Sequence, residues 1–205
     1  MNPSKKTIVA AFDFDGTLTR GDSLLPFLLH YAGVIKFTLG MLKMSPVLGG
    51  YALRLIQNDV AKVKLLKQFL GGVNISIIEQ SGQVFAESKL PKLERENAMK
   101  RLRWHQAQGH MCVLVSASLI HYLEPWARNA GFDHIIASRL ETDASGQISG
   151  NLSGGNCFGV EKAKRLKKLL ADEQTYSIYA YGDSRGDKEM LEMADYAYYK
   201  IMPED

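Results

Sequence analysis

Cysteine is scarce in this 205-residue chain: there are two, Cys112 and Cys157. Two cysteines cannot build a disulfide framework, and neither has a partner at zinc-ligand spacing. The five histidines, at positions 30, 105, 110, 121 and 134, show no ligand pattern. A large charge of one sign is missing too. Twenty-five basic and 22 acidic residues leave a net +3, so no nucleic-acid partner is expected. The basic run Lys162, Lys164, Arg165, Lys167 and Lys168 reads mainly as a solvated helix face. No uncharged apolar run reaches the ~18–20 residues of a membrane-spanning helix. No signal-peptide pattern precedes the first apolar run, which predicts a cytoplasmic location. The length allows one core domain with a small insertion.

What is present is chemistry at the ends of apolar runs. Ile8 to Phe12 reads as a buried parallel strand, followed by Asp13-Phe14-Asp15-Gly16-Thr17-Leu18-Thr19. Side chains alternate along a strand, so Asp13 and Asp15 would share a face if it stayed regular. In an open α/β sheet, ligands bind at the carboxyl ends of strands. Two carboxylates there repel each other and call for a cation, most simply Mg²⁺. The alternative is a pair of turn or capping aspartates.

A second run, Tyr176 to Tyr181, leads into Gly182-Asp183-Ser184-Arg185-Gly186-Asp187. Two such strand ends can converge on one hard cation. A third run, Met111 to Val115, ends in Ser116-Ala117-Ser118. A hydroxyl at Ser116 and nearby backbone N–H groups can donate to phosphoryl oxygens, or Ser116 can merely cap a helix. Lys162 falls in the first turn of a helical stretch, where the helix dipole disfavours a cation. Neutralising a bound phosphate would explain it there.

These four motifs, in this order and over nearly the whole chain, resemble the haloacid dehalogenase-like phosphohydrolases. Within them the chain looks like the branch holding phosphoserine phosphatase and bacterial phosphatidylglycerophosphatases of the C type. The resemblance implies a doubly wound, mainly parallel Rossmann-like sheet with an inserted α-helical cap. It implies Asp13 as nucleophile, forming an aspartyl-phosphate, and Asp15 as general acid/base. Mg²⁺ would be held by Asp13, Asp183 and the Asp15 carbonyl, with Asp187 as a further acidic group. Ser116, Ala117 and Lys162 would hold the phosphoryl oxygens.

The pattern of elements agrees. From Asp15 to Ser116 the chain is far too long for an ordinary crossover. It reads as helices near 23–32, 34–44, 47–56, 60–70 and 75–88, after which residues 91 to 108 lead back into the core. The expected division is a core of residues 1–19 and 91–205 with a cap of residues 20–90. The stretch 24–56 is unusually apolar, interrupted by Lys36, Lys43 and Arg54. It reads either as a bundle burying its own core or as a surface that meets lipid. After Ser116, a helix over 119–130 and strands at 134–140 and 148–152 are expected, the last two pairing antiparallel.

Substrate readings diverge within the resemblance. Phosphoserine phosphatases carry a cap Glu where this chain has Asp22, and a cap Arg for which Arg20, Arg54, Lys62 and Lys64 are all candidates here. Their last motif has Asn where this chain has Gly186. Those departures and the apolar cap favour a lipid phosphate such as phosphatidylglycerophosphate over phosphoserine or another soluble phosphomonoester. A phosphotransferase would carry the same motifs.

Overall fold

Two faces of one sheet are apolar, and this sets the architecture. The computed structural model describes residues 6–171 and 175–203. The first five and last two residues of the expected core segments lie outside them. Strand β1 (Thr7–Phe12) is central. β2 (Met111–Leu119) pairs with it in parallel on one side, and β5 (Tyr176–Gly182) on the other. β3 (His134–Thr142) extends the sheet in parallel and β4 (Ile148–Ser153) closes that edge antiparallel. β6 (Tyr196–Tyr199) adds a parallel strand at the other edge, giving the order β4-β3-β2-β1-β5-β6.

The period of two sorts the side chains. Ala10, Phe12, Cys112 and Leu114 face one cluster; Val9, Ala11, Val113 and Val115 face the other. The second face is covered by α6 (Val160–Leu169) and α7 (Lys188–Glu192), through Leu166, Leu170 and Met190. The first face takes α4 (Glu96–Ala107) and α5 (Ile120–Asn129). This is the doubly wound arrangement expected. The strand β6 and helix α7 were not foreseen. Four residues reading Tyr-Ala-Tyr-Tyr are too short a run to display a period.

The helices before the core return differ from expectation. Three short helices were expected over residues 23–56. The first break is present, since α1 (Leu24–Ala52) is two helical segments joined across a kink at Gly33 (φ 72°, ψ 165°), but the second, at 45–46, is not. Pro46 does not end the helix. A proline cannot donate to the carbonyl four residues back. Here the Ser45 hydroxyl donates to the Leu42 carbonyl at 2.8 Å and takes the missing N–H's place. α2 (Asn58–Leu70) and α3 (Ile75–Ser88) follow. A 3₁₀ turn at Leu90–Lys92 then precedes α4.

The inserted helices do not bury a core of their own. Phe27, Leu66, Ile78 and Phe85 join Phe12, Phe14 and Tyr122 in one continuous cluster. The outer face of α1 is left in solvent, with Ile35 77% and Leu42 64% exposed. The reading of a self-contained bundle is corrected accordingly.

Two buried histidines make stability depend on acid. His121 Nε2 accepts the Leu140 N–H at 3.2 Å, which needs a neutral ring. Burial and Arg139 push its pKa down to about 4, and burial with Arg101 and His110 pushes that of His105 down to about 3. Below about pH 6.5 the unfolded chain therefore binds protons that the folded chain refuses. Stability falls as pH drops from 6.5 towards 4, by up to about 3 kcal/mol for His121 alone. Asp13 and Asp15 titrate in the opposite sense, so the readout is a difference. Urea melts across that window should show a shallower acid loss in His121→Gln than in the native chain. Parallel curves would remove His121 from the account.

Candidate functional site

The carboxyl ends of β1, β2 and β5 meet at one place, where the chain leaves β1 for opposite sides of the sheet. Asp13 follows β1 directly and its N–H donates to Tyr181 O at 2.9 Å. Gly16 turns the chain there at φ +83°. A Cβ on Gly16 would sit 2.3 Å from Asp183 Oδ2, so only glycine lets the two acidic strand ends approach. Arg95 secures this turn by donating to Gly16 O at 2.7 Å.

The structure brings Asp13, Asp183 and Asp187 together, with one oxygen from each within 4.8 Å of the others. Lys162, from the first turn of α6, joins them: its ammonium donates to Asp13 Oδ1 and, at 2.5 Å, to Asp187 Oδ1. It is 2% exposed, so it is no solvated lysine. Asp187 also accepts the N–H groups of Asp183 at 3.2 Å and Ser184 at 2.9 Å. Thr17 donates to Asp13 Oδ2 at 2.9 Å.

Three carboxylates face one ammonium, and this excess of negative charge shapes their titration. Burial, opposed by Lys162 and reinforced by Asp187, pushes the pKa of Asp13 up to about 7. Burial and the Asp187 charge raise that of Asp183. Burial opposes charge on Lys162, but Asp13 and Asp187 outweigh it, and the ammonium stays protonated. Asp183 Oδ1 is buried without a hydrogen-bond partner among the described residues. An orphaned carboxylate oxygen within an over-negative oxygen cluster fits a hard divalent cation.

Asp15 is turned elsewhere. Its Oδ2 accepts from Ser118 Oγ at 2.5 Å and its Oδ1 from Ser23 N at 2.8 Å. Burial and the Asp22 charge raise its pKa to about 6, against the lowering by those donors. Ser116 is fully buried, and its Oγ accepts the Ser118 N–H at 3.0 Å, which leaves its proton for another acceptor. Ala117 offers its carbonyl to Lys62 Nζ at 2.5 Å. Asp22 caps α1 through Leu25 N at 3.1 Å, and both Asp22 and Arg20 line the same cavity. That cavity, about 550 Å³, also takes in Asp13, Asp15, Ser116, Lys162 and Asp183. Asp187 lies behind its wall.

Sequence reasoning left Lys62 as one of several conceivable cations, and gave no role to Ser23, Tyr122 or Asn156. Lys62 reaches across from α2 to Ala117 O and, at 2.7 Å, to Asn156 Oδ1. Burial lowers its pKa to about 8, partly offset by Asp15 and Asp22. Lys62 is half-buried and precedes the buried Leu65 and Leu66 by three and four positions, and a lysine on the apolar stripe of a helix is the kind of signal that could have singled it out.

A central-strand aspartate cluster with a buried lysine, on a doubly wound sheet, defines a class of phosphoryl-handling hydrolases. The family model for haloacid dehalogenase-like hydrolases matches residues 10–192, and the chain belongs to that family. As a member of it the chain is a hydrolase. The protein CicA of Caulobacter vibrioides is 38% identical over 194 residues, covering 95% of this chain and 86% of that protein. A solved structure from Bordetella pertussis Tohama I, described as of unknown function, aligns at TM-score 0.79 with 24% identity, over 92% of this chain and 87% of that one. A phosphoserine phosphatase solved as a phospho-aspartyl intermediate analogue aligns at TM-score 0.62 with 18% identity, over 93% and 84% of the two chains.

Proposed function

We propose that this chain hydrolyses phosphomonoesters through an aspartyl-phosphate on Asp13, with Mg²⁺ held by Asp13, the Asp15 carbonyl and Asp183. The observation that carries the reading is the cluster of Asp13, Asp183, Asp187 and Lys162 at the ends of β1 and β5, with Asp183 Oδ1 lacking a partner among the described residues. Bound Mg²⁺ would neutralise the excess negative charge and shield the incoming phosphate from Asp13.

The chain's own residues supply the rest. Asp13 attacks phosphorus while Asp15 protonates the leaving oxygen. Asp15 then takes a proton from the water that cleaves the phospho-enzyme, which releases inorganic phosphate and restores Asp13. A carboxyl with its pKa raised to about 6 is suited to both tasks. The Ser116 hydroxyl and the Lys162 ammonium hold phosphoryl oxygens, and Asp187 fixes Lys162. Residues 20–90 act as the cap over this site, with residues 1–19 and 91–205 as the core.

A lipid phosphate is the substrate class favoured by the wall opposite the carboxylates. Leu24, Leu25, Leu48 and Tyr51 of α1 with Leu65 of α2 line that wall, a surface suited to an apolar leaving group. The outward side of α1 extends the reading to membrane contact. Val34, Ile35, Leu39, Leu42 and Leu53 are exposed there. From Ser23 to Asn58 there is no acidic residue, while Lys36, Lys43 and Arg54 are all exposed. A helix with a largely apolar outer face, whose charged side chains are all basic, complements an anionic lipid surface. At 29 residues α1 is long and apolar enough to span a bilayer, but Lys36, Lys43 and the break at Gly33 fit a helix lying in the interface.

The test is phosphate release with Mg²⁺ from a matched panel: phosphoserine, sugar and nucleotide phosphates, and phosphatidylglycerophosphate in detergent and in anionic vesicles. The expected result is preference for the lipid, further raised by vesicles and lost with EDTA. Preference for a soluble monoester would overturn the lipid reading and keep the chemistry. In Leu39→Glu/Leu42→Glu, vesicle sedimentation should fall at least tenfold while hydrolysis of a soluble ester persists.

A further inference from the structure

Asp15 is held by more than its catalytic task demands. Behind Ser118, its donor on Oδ2, Ser23 Oγ lies 3.3 Å from Ser118 Oγ, and Tyr122 OH lies 3.0 Å from Ser23 Oγ. Ser23 and Tyr122 are fully buried and Ser118 is 4% exposed. The three come from different places: the residue before α1, the end of β2, and the first turn of α5.

The proton inventory gives this set a direction. An ionised carboxylate only accepts, so Ser118 must spend its single hydroxyl proton on Asp15. Ser118 Oγ is then left as an acceptor, which the Ser23 hydroxyl can satisfy. Ser23 Oγ is in turn left to accept from Tyr122. The only consistent order is Tyr122 to Ser23 to Ser118 to Asp15, and bonds aligned this way polarise one another. The Ser23 N–H fixes the other oxygen, Oδ1. An aspartate side chain has two free torsions, and a carboxylate beside a cation site would be drawn into it. Here both oxygens are tied by donors that lie outside the cluster of Asp13, Asp183 and Asp187.

We propose that Ser118, Ser23 and Tyr122 are positioning residues for Asp15, a hydrogen-bonded chain that keeps its carboxyl out of the cation cluster and aimed at the leaving oxygen. This rests on the acid/base role given to Asp15 above. In the first step the Asp13–phosphorus bond forms, the bond from phosphorus to the leaving oxygen breaks, and that oxygen takes the Asp15 proton. Asp15 is then a carboxylate, which the chain is wired to receive. In the second step water gives Asp15 a proton as its oxygen attacks phosphorus and the Asp13–phosphorus bond breaks.

The bland alternative is that these residues only fix the start of α1. Leaving-group dependence separates the two. An alkyl phosphate must be protonated as it leaves, whereas p-nitrophenyl phosphate leaves as a stable anion. The value of kcat/KM covers all steps through leaving-group departure. With Mg²⁺ in the buffer, Ser118→Ala is expected to lower kcat/KM for the alkyl ester about a hundredfold more than for the aryl ester, the low end for a general acid. Ser118→Thr should restore most of the difference, and Tyr122→Phe should show the same pattern at about a tenth of the size. Equal losses on both esters, or no loss on either, would overturn the positioning role even if the native chain is fully active. A native chain that hydrolyses neither ester would sink the phosphatase reading and this proposal with it. Ser118→Ala removes one oxygen from a strand end, so its circular dichroism should match the native chain if Tyr122→Phe fails to fold.

Discussion

Asp13→Asn is expected to lower turnover by roughly 10⁴-fold or more, the scale seen when a covalent nucleophile is removed. An amide oxygen is a poor nucleophile and cannot form the phospho-enzyme. The fold should survive and even gain. The native cluster sets three carboxylates against one ammonium, and the change removes one of those charges while leaving the Thr17 hydroxyl an acceptor. The checks are phosphate release and a thermal melt in EDTA. Turnover within tenfold of native would remove Asp13 as nucleophile. A melt well below native would mean the substitution damaged the fold, and the loss of turnover would not count as evidence.

Lys162→Met should be costly in a different way. It leaves Asp13, Asp183 and Asp187 facing one another without their counter-ion. Removing one partner of a buried ion pair costs about 3–5 kcal/mol, and here one cation serves two carboxylates. Urea melts in EDTA should therefore show a loss of that order, and activity should fall by about 10²–10³-fold, as on removal of an oxyanion donor. Added Mg²⁺ should restore part of the stability and little of the activity. A divalent ion can offset the surplus negative charge but cannot replace the donors to phosphoryl oxygens. A melt unchanged in EDTA would show that Asp13 and Asp187 do not depend on Lys162, and would overturn the charge account.

The core of the site was legible because its parts are local. Asp13, Asp183 and Asp187 each sit within a few residues of the end of an apolar strand, and strand-end chemistry is readable from alternation and a following glycine. The doubly wound sheet was legible for the same reason. What was not legible depends on pairs far apart in sequence. Ser23 meets Ser118 and Tyr122 across nearly a hundred residues, and Lys62 meets Asn156 across almost as many. No local pattern announces such a pairing. The break at Gly33 was legible, but the course of α1 beyond Met44 was misread because Pro46 normally ends a helix, and the Ser45 hydroxyl that compensates looks like any other serine. The exposed face of α1 was left open because an apolar helix looks the same whether it packs on a neighbour or not.

The aromatic cluster that joins α3 and α5 bears on how a substrate gets in. Phe27, Phe85 and Tyr122 lie ring against ring, with centroids 4.8–5.5 Å apart. Swinging the insert away at that seam would wet three large rings at once, at about 25 cal/mol for every Å² exposed. The leucines and isoleucine on the outside of α1 already meet solvent and add nothing to that cost, while Leu65, Leu66 and Leu70 of α2 are buried and add to it. Any entry to the carboxylates that needs the insert to move is therefore opposed at both ends, by stacked rings at one and by buried leucines at the other.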